Sequence, residues 1–268
     1  MIVIGEKING TLKGVGRAIL ERDTKHVSYL ARIQAEAGAD YLDVNGGTLP
    51  VRELDDLIWL VQVIQGVVET PLCIDSANHQ TLSAVLPLLK RKGIVNSVDG
   101  EPDKLERLLP LIKANGCDVI ALLMDERGVP ETVSARMQVA NKIVESSVQV
   151  GIEGDRILFD PLVLPIATKP NAGQIFLETL RCLKQEFPTS RTVSGISNIS
   201  FGLPVRHLLN RAFLCLVAAA GIDAVILDIL DHELLSIVKA ARAVAGLDSY
   251  CREYLTAYRA NKAGVERG

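Results

Sequence analysis

Ala37-Gly-Ala-Asp-Tyr-Leu-Asp-Val-Asn45 is the stretch on which the fold turns. Gly38 and its neighbours read as a helix C-cap turn, Tyr41–Val44 as a short buried strand, and Asp43 and Asn45 as polar residues delivered at the strand's end. The phrase recurs: Ala114-Asn-Gly-Cys117 precedes an apolar run at Val119–Leu123, and Ala220-Gly-Ile-Asp223 precedes another at Ala224–Leu227. Further runs at Ile2–Ile4, Leu72–Ile74, Ile94–Val95, Ile157–Phe159 and Thr192–Ile196 bring the candidate strands to eight. Between them, apolar residues fall three and four apart, as in Leu54, Leu57, Ile58, Val61 and Ile64, which is the period of an amphipathic helix. Strands alternating with helices form a parallel sheet, and eight such units in 268 residues close into one α/β (βα)8 TIM barrel. An open doubly wound sheet is the alternative. No linker or low-complexity tract divides the chain, so residues 1–262 read as a single barrel domain. Within it, Ser249–Ala260 reads as a last amphipathic helix carrying Tyr250, Tyr254 and Tyr258, and 263–268 reads as a frayed tail.

Composition narrows the function. Apolar residues make up 48% and charged residues 23%, enough for a packed core under a solvated surface. A formal net charge of −3, with no basic stripe along the chain, argues against a nucleic-acid binder, which needs a basic field. The five cysteines, Cys73, Cys117, Cys182, Cys215 and Cys251, lie far apart, mostly in apolar runs, and read as reduced core thiols of a cytoplasmic protein. The four histidines are equally scattered, without CxxC or HExxH spacing, so no protein-bound metal is expected. No apolar stretch reaches the roughly 18 residues of a membrane span, and Met1–Ile4 runs into Glu6 and Lys7 without a signal-peptide pattern.

The chemistry lies at the strand ends. Glu6 follows the first run, Asp43 and Asn45 end the second, Asp75 follows the third and Asn96 the fourth; Asp160, Asn198 and Asp228 follow the sixth, seventh and eighth. A (βα)8 barrel gathers these positions on its C-terminal face, where that fold builds its active sites. One such residue reads equally well as an Asx turn or a helix cap. Seven of eight strand ends are polar in this way, and clustered carboxylates repel one another unless a ligand supplies donors. Lys7 is the only cation beside any of them, which argues against phosphate. A flat heterocycle rich in N–H groups, such as the 2-amino-4-oxo ring of a pterin, suits carboxylates bidentately, and Asn96 and Asn198 can donate and accept at once.

In order and spacing, Ile4-Gly-Glu-Lys-Ile-Asn-Gly10, Leu42-Asp-Val-Asn45, Leu72-Cys-Ile-Asp-Ser76, Val95-Asn-Ser97, Phe159-Asp-Pro161 and Gly195-Ile-Ser-Asn-Ile-Ser-Phe-Gly-Leu-Pro204 resemble the pterin-binding methyltransferase family. That family includes methyltetrahydrofolate:corrinoid protein methyltransferases and the folate module of cobalamin-dependent methionine synthase. The resemblance runs from Ile4 to about Asp228 and implies a dihydropteroate synthase-like pterin-binding barrel. It implies that Asp75, Asn96 and Asp160 hold the pterin ring, that Asn198 meets N5, and that Gly195 and Ser197 shape its loop. Glu6, Asp43, Asn45 and Asp228 would stand behind those contacts. Arg206 would meet the folate tail or a partner protein, or simply face solvent.

The implied reaction moves a methyl group between N5 of tetrahydrofolate and the cobalt of a corrinoid. A corrinoid is too large for the same mouth, and the chain lacks a DxHxxG cobalamin-binding segment, so the cobalt would arrive on a separate protein docking transiently on the barrel rim. A homodimer is the expected assembly. Ser200-Phe-Gly-Leu-Pro204 resembles demethylase-system enzymes and methionine synthase more than the acetyl-CoA pathway enzyme, which implies the direction methylcorrinoid to tetrahydrofolate in a demethylase-type system, with transfer from methyltetrahydrofolate to a corrinoid/iron–sulfur protein as the alternative. Dihydropteroate synthase is a poorer match, because its pyrophosphate site needs cations and an Arg-x-His near the eighth strand, where this chain has Leu227-Asp-Ile-Leu-Asp231. A noncatalytic folate-binding protein is the reading from another class.

Overall fold

The computed structural model describes residues 1–259. Its elements are β1 (Ile2–Asn9), α1 (Lys13–Leu20), α2 (Thr24–Glu36), β2 (Tyr41–Asn45), α3 (Pro50–Gln65), β3 (Leu72–Asp75), α4 (His79–Val85), β4 (Ile94–Val98) and α5 (Pro102–Ala114). They continue as β5 (Asp118–Leu122), α6 (Val133–Gln149), β6 (Ile157–Asp160), α7 (Ala172–Glu186), β7 (Arg191–Gly195), α8 (Arg206–Ala219), β8 (Ala224–Leu227), α9 (His232–Val244) and α10 (Arg252–Arg259). The eight strands pair in parallel and in sequence order, and β1 meets β8 with Ile2 opposite Ala224, closing the barrel. The open sheet is thereby excluded.

Strand alternation explains what each side chain does. Ile4, Cys73, Ile94, Ile120, Leu158, Val193 and Ala224 fill the barrel interior. Their sequence neighbours, among them Val95, Val119, Ile157 and Val225, point outward under the helices. Two residues further along each strand comes the next inward layer: Glu6, Asp75, Asn96, Leu122, Asp160, Gly195 and Ile226. The polar strand ends are therefore the layer directly above an apolar plug.

The floor is polar too. Asp118 is buried at the start of β5, with Arg191 at 2.6 Å, Lys92 at 2.6 Å and Arg156 at 3.8 Å around it. The three glycine turns are Schellman caps: after α2, Gly38 takes φ +95° while Ala39 N donates to Gln34 O at 3.1 Å. The aspartates after two of the turns staple neighbouring strands, Asp40 accepting from Val3 N and Asp223 from Thr192 N, each at 2.8 Å.

Four expectations need adjustment. β1 runs on to Asn9, with an irregular register between Gly5 and Ile8, so Glu6 lies inside the strand rather than after it. Asn96 likewise lies inside β4. Cys73 and Cys117 are buried, but Cys182 is half-buried and Cys215 and Cys251 are exposed, so only two of the five are core thiols. The expected helix from Ser249 breaks at Tyr250, whose φ is +57°, and only Arg252–Arg259 is α-helical. Ala260, the domain end at 262 and the expected tail at 263–268 lie outside the described residues. Among the described residues, no helix is long and apolar enough to cross a membrane.

Candidate active site

β2, β3 and β4 bring four of the expected residues into direct contact. Asn45 Nδ2 donates to Asp75 Oδ2 at 2.5 Å, and Asn96 Nδ2 donates to Asp43 Oδ1 at 3.3 Å. The first bond joins the adjacent strands β2 and β3, and the second reaches from β4 across β3 to β2, so each carboxylate meets an amide from another strand and keeps acceptor capacity unused. Asp43 is 4% exposed. Burial pushes its carboxyl up to about 7; the Asp75 charge adds to the rise, while hydrogen bonds from Asn96 and Cys73 offset part of it. Burial raises Asp75 as well, against the hydrogen bond from Asn45.

Glu53 of α3 sits behind this cluster and gave no signal in the sequence. It accepts from Ser76 Oγ at 2.7 Å, Asn78 Nδ2 at 3.1 Å and Thr81 Oγ1 at 3.2 Å, fixing the loop that leaves β3. Asn78 in turn caps α4.

Asp160, at the end of β6, is 7% exposed and accepts from Leu162 N at 2.7 Å. Burial pushes this carboxyl up to about 7, while the Leu162 N–H and the Arg136 guanidinium pull the other way. Arg136, on α6, is fully buried and is a second residue that the sequence reading missed.

On the opposite side, Lys7 Nζ pairs with Asp228 at 2.5 Å and ties β1 to the loop after β8. Glu6 beside them is raised, first by burial and then by Asp228, with Lys7 and Arg206 opposing. Glu6, Ser197, His207, Asn210, Asp228 and Asp231 line a depression of about 180 Å³ next to the mouth.

β7 leads through Gly195 into a 3₁₀ turn over Ile196–Ser200. Asn198 is exposed there, and its side chain makes no hydrogen bond among the described residues. Its neighbours are held. Arg206 donates from Nη2 to Ser197 O at 2.7 Å and from Nε to Ser200 Oγ at 3.0 Å, and Ser200 Oγ donates to Asn210 Oδ1 at 2.7 Å. Arg206 is exposed, as the solvent-facing reading has it, and its guanidinium also braces this turn, leaving the Asn198 amide presented on a held frame. Leu122 and Ile226 supply the apolar part of the inward layer. Among the described residues, no group of three or more His, Cys, Asp or Glu is placed to hold a metal ion.

The geometry is that of an acceptor-rich mouth. Two buried carboxylates accept from amides, Asn198 stands on a braced turn without a side-chain partner among the described residues, and the cations nearest the carboxylates are Lys7 beside Asp228 and the buried Arg136 behind Asp160. Comparison with known proteins gives the same direction. Residues 8–228 match the family model described as pterin binding enzyme. The chain is 39% identical over 266 residues to a methylcorrinoid:tetrahydrofolate methyltransferase from Eubacterium limosum, covering 98% of both chains. It is 30% identical over 239 residues to methionine synthase from Mycobacterium leprae, covering 84% of this chain and 20% of that protein. Among solved structures, dihydropteroate synthase from Vibrio fischeri superposes with a TM-score of 0.66 at 16% identity, over 91% of this chain and 93% of that one. The Coxiella burnetii dihydropteroate synthase in complex with pteroic acid gives 0.69 at 16% identity, over 92% and 94%. At that identity the two structures speak for the fold alone.

Proposed function

The chain belongs to the pterin binding enzyme family, and on that premise we propose that its barrel mouth holds tetrahydrofolate while a corrinoid on a separate protein exchanges a methyl group with N5. The enzyme is a methyltransferase of the corrinoid–tetrahydrofolate type, like the Eubacterium limosum relative it matches end to end. Asp75, Asn96 and Asp160 accept from and pair with the pterin's N–H edge. Asp43 and Asn45 brace Asp75 and Asn96 from behind. Gly195 and Ser197 carry the turn, and Asn198 faces N5. Glu6 and Asp228 close the mouth on the side of Lys7, and Arg206 acts through the turn it braces.

The observation that carries this reading is the contrast within the mouth. Asp43, Asp75 and Asp160 all have carboxyls raised by burial, so an empty site stores unfavourable charge that N–H donors would relieve. A pterin ring brings such donors. Asn198 differs in being unpartnered and exposed, as suits a group that meets a reacting atom. In the direction methylcorrinoid to tetrahydrofolate, the N5 lone pair attacks the methyl carbon and the cobalt–carbon electron pair leaves with cobalt as Co(I). Positive charge develops on N5 before its proton departs, and the Asn198 carbonyl oxygen can accept from that N–H. This is the proposed physiological direction, supported by the name of the 39% identical relative; the same site must serve the reverse.

The corrinoid partner docks transiently on the loops around the mouth. The enzyme is a cytoplasmic homodimer, to which exposed Leu208 and Leu216 on α8 and Val244 on α9 offer an apolar face. The test mixes the protein with methylcob(III)alamin and tetrahydrofolate and follows cob(I)alamin by absorbance. Appearance of cob(I)alamin dependent on both protein and folate is expected. Folate binding without turnover, either with free corrinoid or with a corrinoid protein, would leave only a binding module.

A further inference from the structure

Arg136 stands in the first turn of α6 and is 1% exposed, an unusual place for a guanidinium that has no direct ion pair among the described residues. Its donors go to main-chain carbonyls: Nε to Pro130 O at 2.9 Å, Nη1 to Pro161 O at 2.7 Å and to Leu162 O at 3.1 Å. It therefore ties the loop before α6 to the loop that leaves β6. Leu162 takes φ +62°, a left-handed conformation that a branched side chain adopts only when its surroundings hold it. Its N–H donates to Asp160 Oδ1 at 2.7 Å while its carbonyl accepts from Arg136, so carboxyl and guanidinium grip opposite ends of one strained residue.

The geometry points to Arg136 as the positioning residue for Asp160: it holds the loop that aims the carboxyl and places a positive charge behind it. The inference rests on the reading of Asp160 as a pterin acceptor. Among the described residues, the surroundings of Asp160 offer no substitute. β5 places Leu122 opposite it, and β7 places Thr192 beside Phe159. Asp99 and Asp125, on the loops after β4 and β5, are paired locally with Lys104 and Arg127. Arg136 is the charged group acting on this carboxyl, and burial is what it opposes.

The test is the carboxyl titration of Asp160 in the ligand-free full chain, read by ¹³C NMR and assigned against Asp160→Asn. It is run for wild type, Arg136→Met and Arg136→Lys. Arg136→Gln replaces the methionine variant if circular dichroism shows that variant unfolded. Loss of the charge should move the midpoint up from about 7 by roughly one pH unit, whereas Arg136→Lys should stay within a few tenths. Methyltetrahydrofolate affinity at pH 7 should then fall about fivefold in the neutral variant and recover above its new midpoint, since the ionised fraction sets binding. A merely structural arginine would weaken binding equally at every pH. An unmoved midpoint in the neutral variants overturns the proposal. A moved midpoint together with unchanged folate affinity in Asp160→Asn upholds the link between Arg136 and Asp160 and removes instead the pterin role of Asp160.

Discussion

Replacing Asp160 by asparagine should stabilise the empty barrel and weaken its hold on folate. The carboxyl sits in a site whose burial lifts it from an ordinary 3.8 to about 7. About three pH units at ~1.4 kcal/mol each give an upper figure of ~4 kcal/mol of unfavourable ionisation above neutrality. Water entering the open mouth reduces this, and about 2 kcal/mol is the expected size. Because the folded value lies above the unfolded one, the carboxyl's contribution to stability is fully present below about pH 4 and is lost as pH rises through 7. Asparagine is neutral throughout and can still accept from Leu162 N. The stability difference between variant and wild type should therefore open between pH 4 and 7 and level off above. In thermal melts without folate, Asp160→Asn should melt about 4–8 °C higher at pH 8 and close to wild type near pH 4. With folate the order reverses, because an amide N–H then faces the pterin's own donors. Losing a desolvated, charged partner should cost about 1.5–3 kcal/mol, or one to two decades in Kd. A pH-independent difference in melting, or a less stable variant at pH 8, would refute the claim that this carboxylate is held at a cost that a ligand relieves.

Other outcomes follow from the same geometry. Asn198→Ala should lower single-turnover methyl transfer by roughly 10²–10³ in both directions, with a smaller loss in folate affinity, because its hydrogen bond gains strength as charge develops on N5. A near-wild-type rate in stopped flow would make Asn198 a loop-shaping residue. Asp118→Ala should destabilise the protein by about 3–5 kcal/mol in denaturant titrations, leaving Lys92, Arg156 and Arg191 without their buried counter-charge. Its folate affinity in native buffer should stay within twofold, and a larger loss would mean that the floor communicates with the mouth. Exhaustive chelation should leave transfer between methyltetrahydrofolate and free cob(I)alamin intact, and a stoichiometric zinc whose removal abolishes turnover would contradict the site as described.

The barrel was readable in the chain because its strands are short apolar runs and their inward side chains obey a period of two. Once Ile4, Cys73, Ile94, Leu158 and Val193 fill the interior, Glu6, Asp75, Asn96, Asp160 and Gly195 must form the layer above them. The extent of β1 was not readable, since Gly5, Glu6 and Lys7 look like a strand's end although pairing with β2 continues to Asn9. Arg136 escaped notice because one arginine opening a helix looks like any solvated cation, and only the fold brings Pro161 and Leu162 to it. Glu53 was hidden for the same reason: its three partners lie 23 to 28 residues away. Asp118 looked like the start of a strand, yet Lys92, Arg156 and Arg191 reach it from three separate loops and strands.

In the proposed reaction a methyl group crosses between cobalt and N5 of a folate held by this acceptor cluster. Single-turnover transfer from ¹³CH3-labelled methylcob(III)alamin to tetrahydrofolate, quenched and read by ¹³C NMR, tests it most directly. The label should appear on N5, at a rate cut by Asn198→Ala at saturating folate and by Asp160→Asn chiefly at low folate. Label remaining on the corrinoid, or arriving at N5 equally fast in both variants, would contradict it.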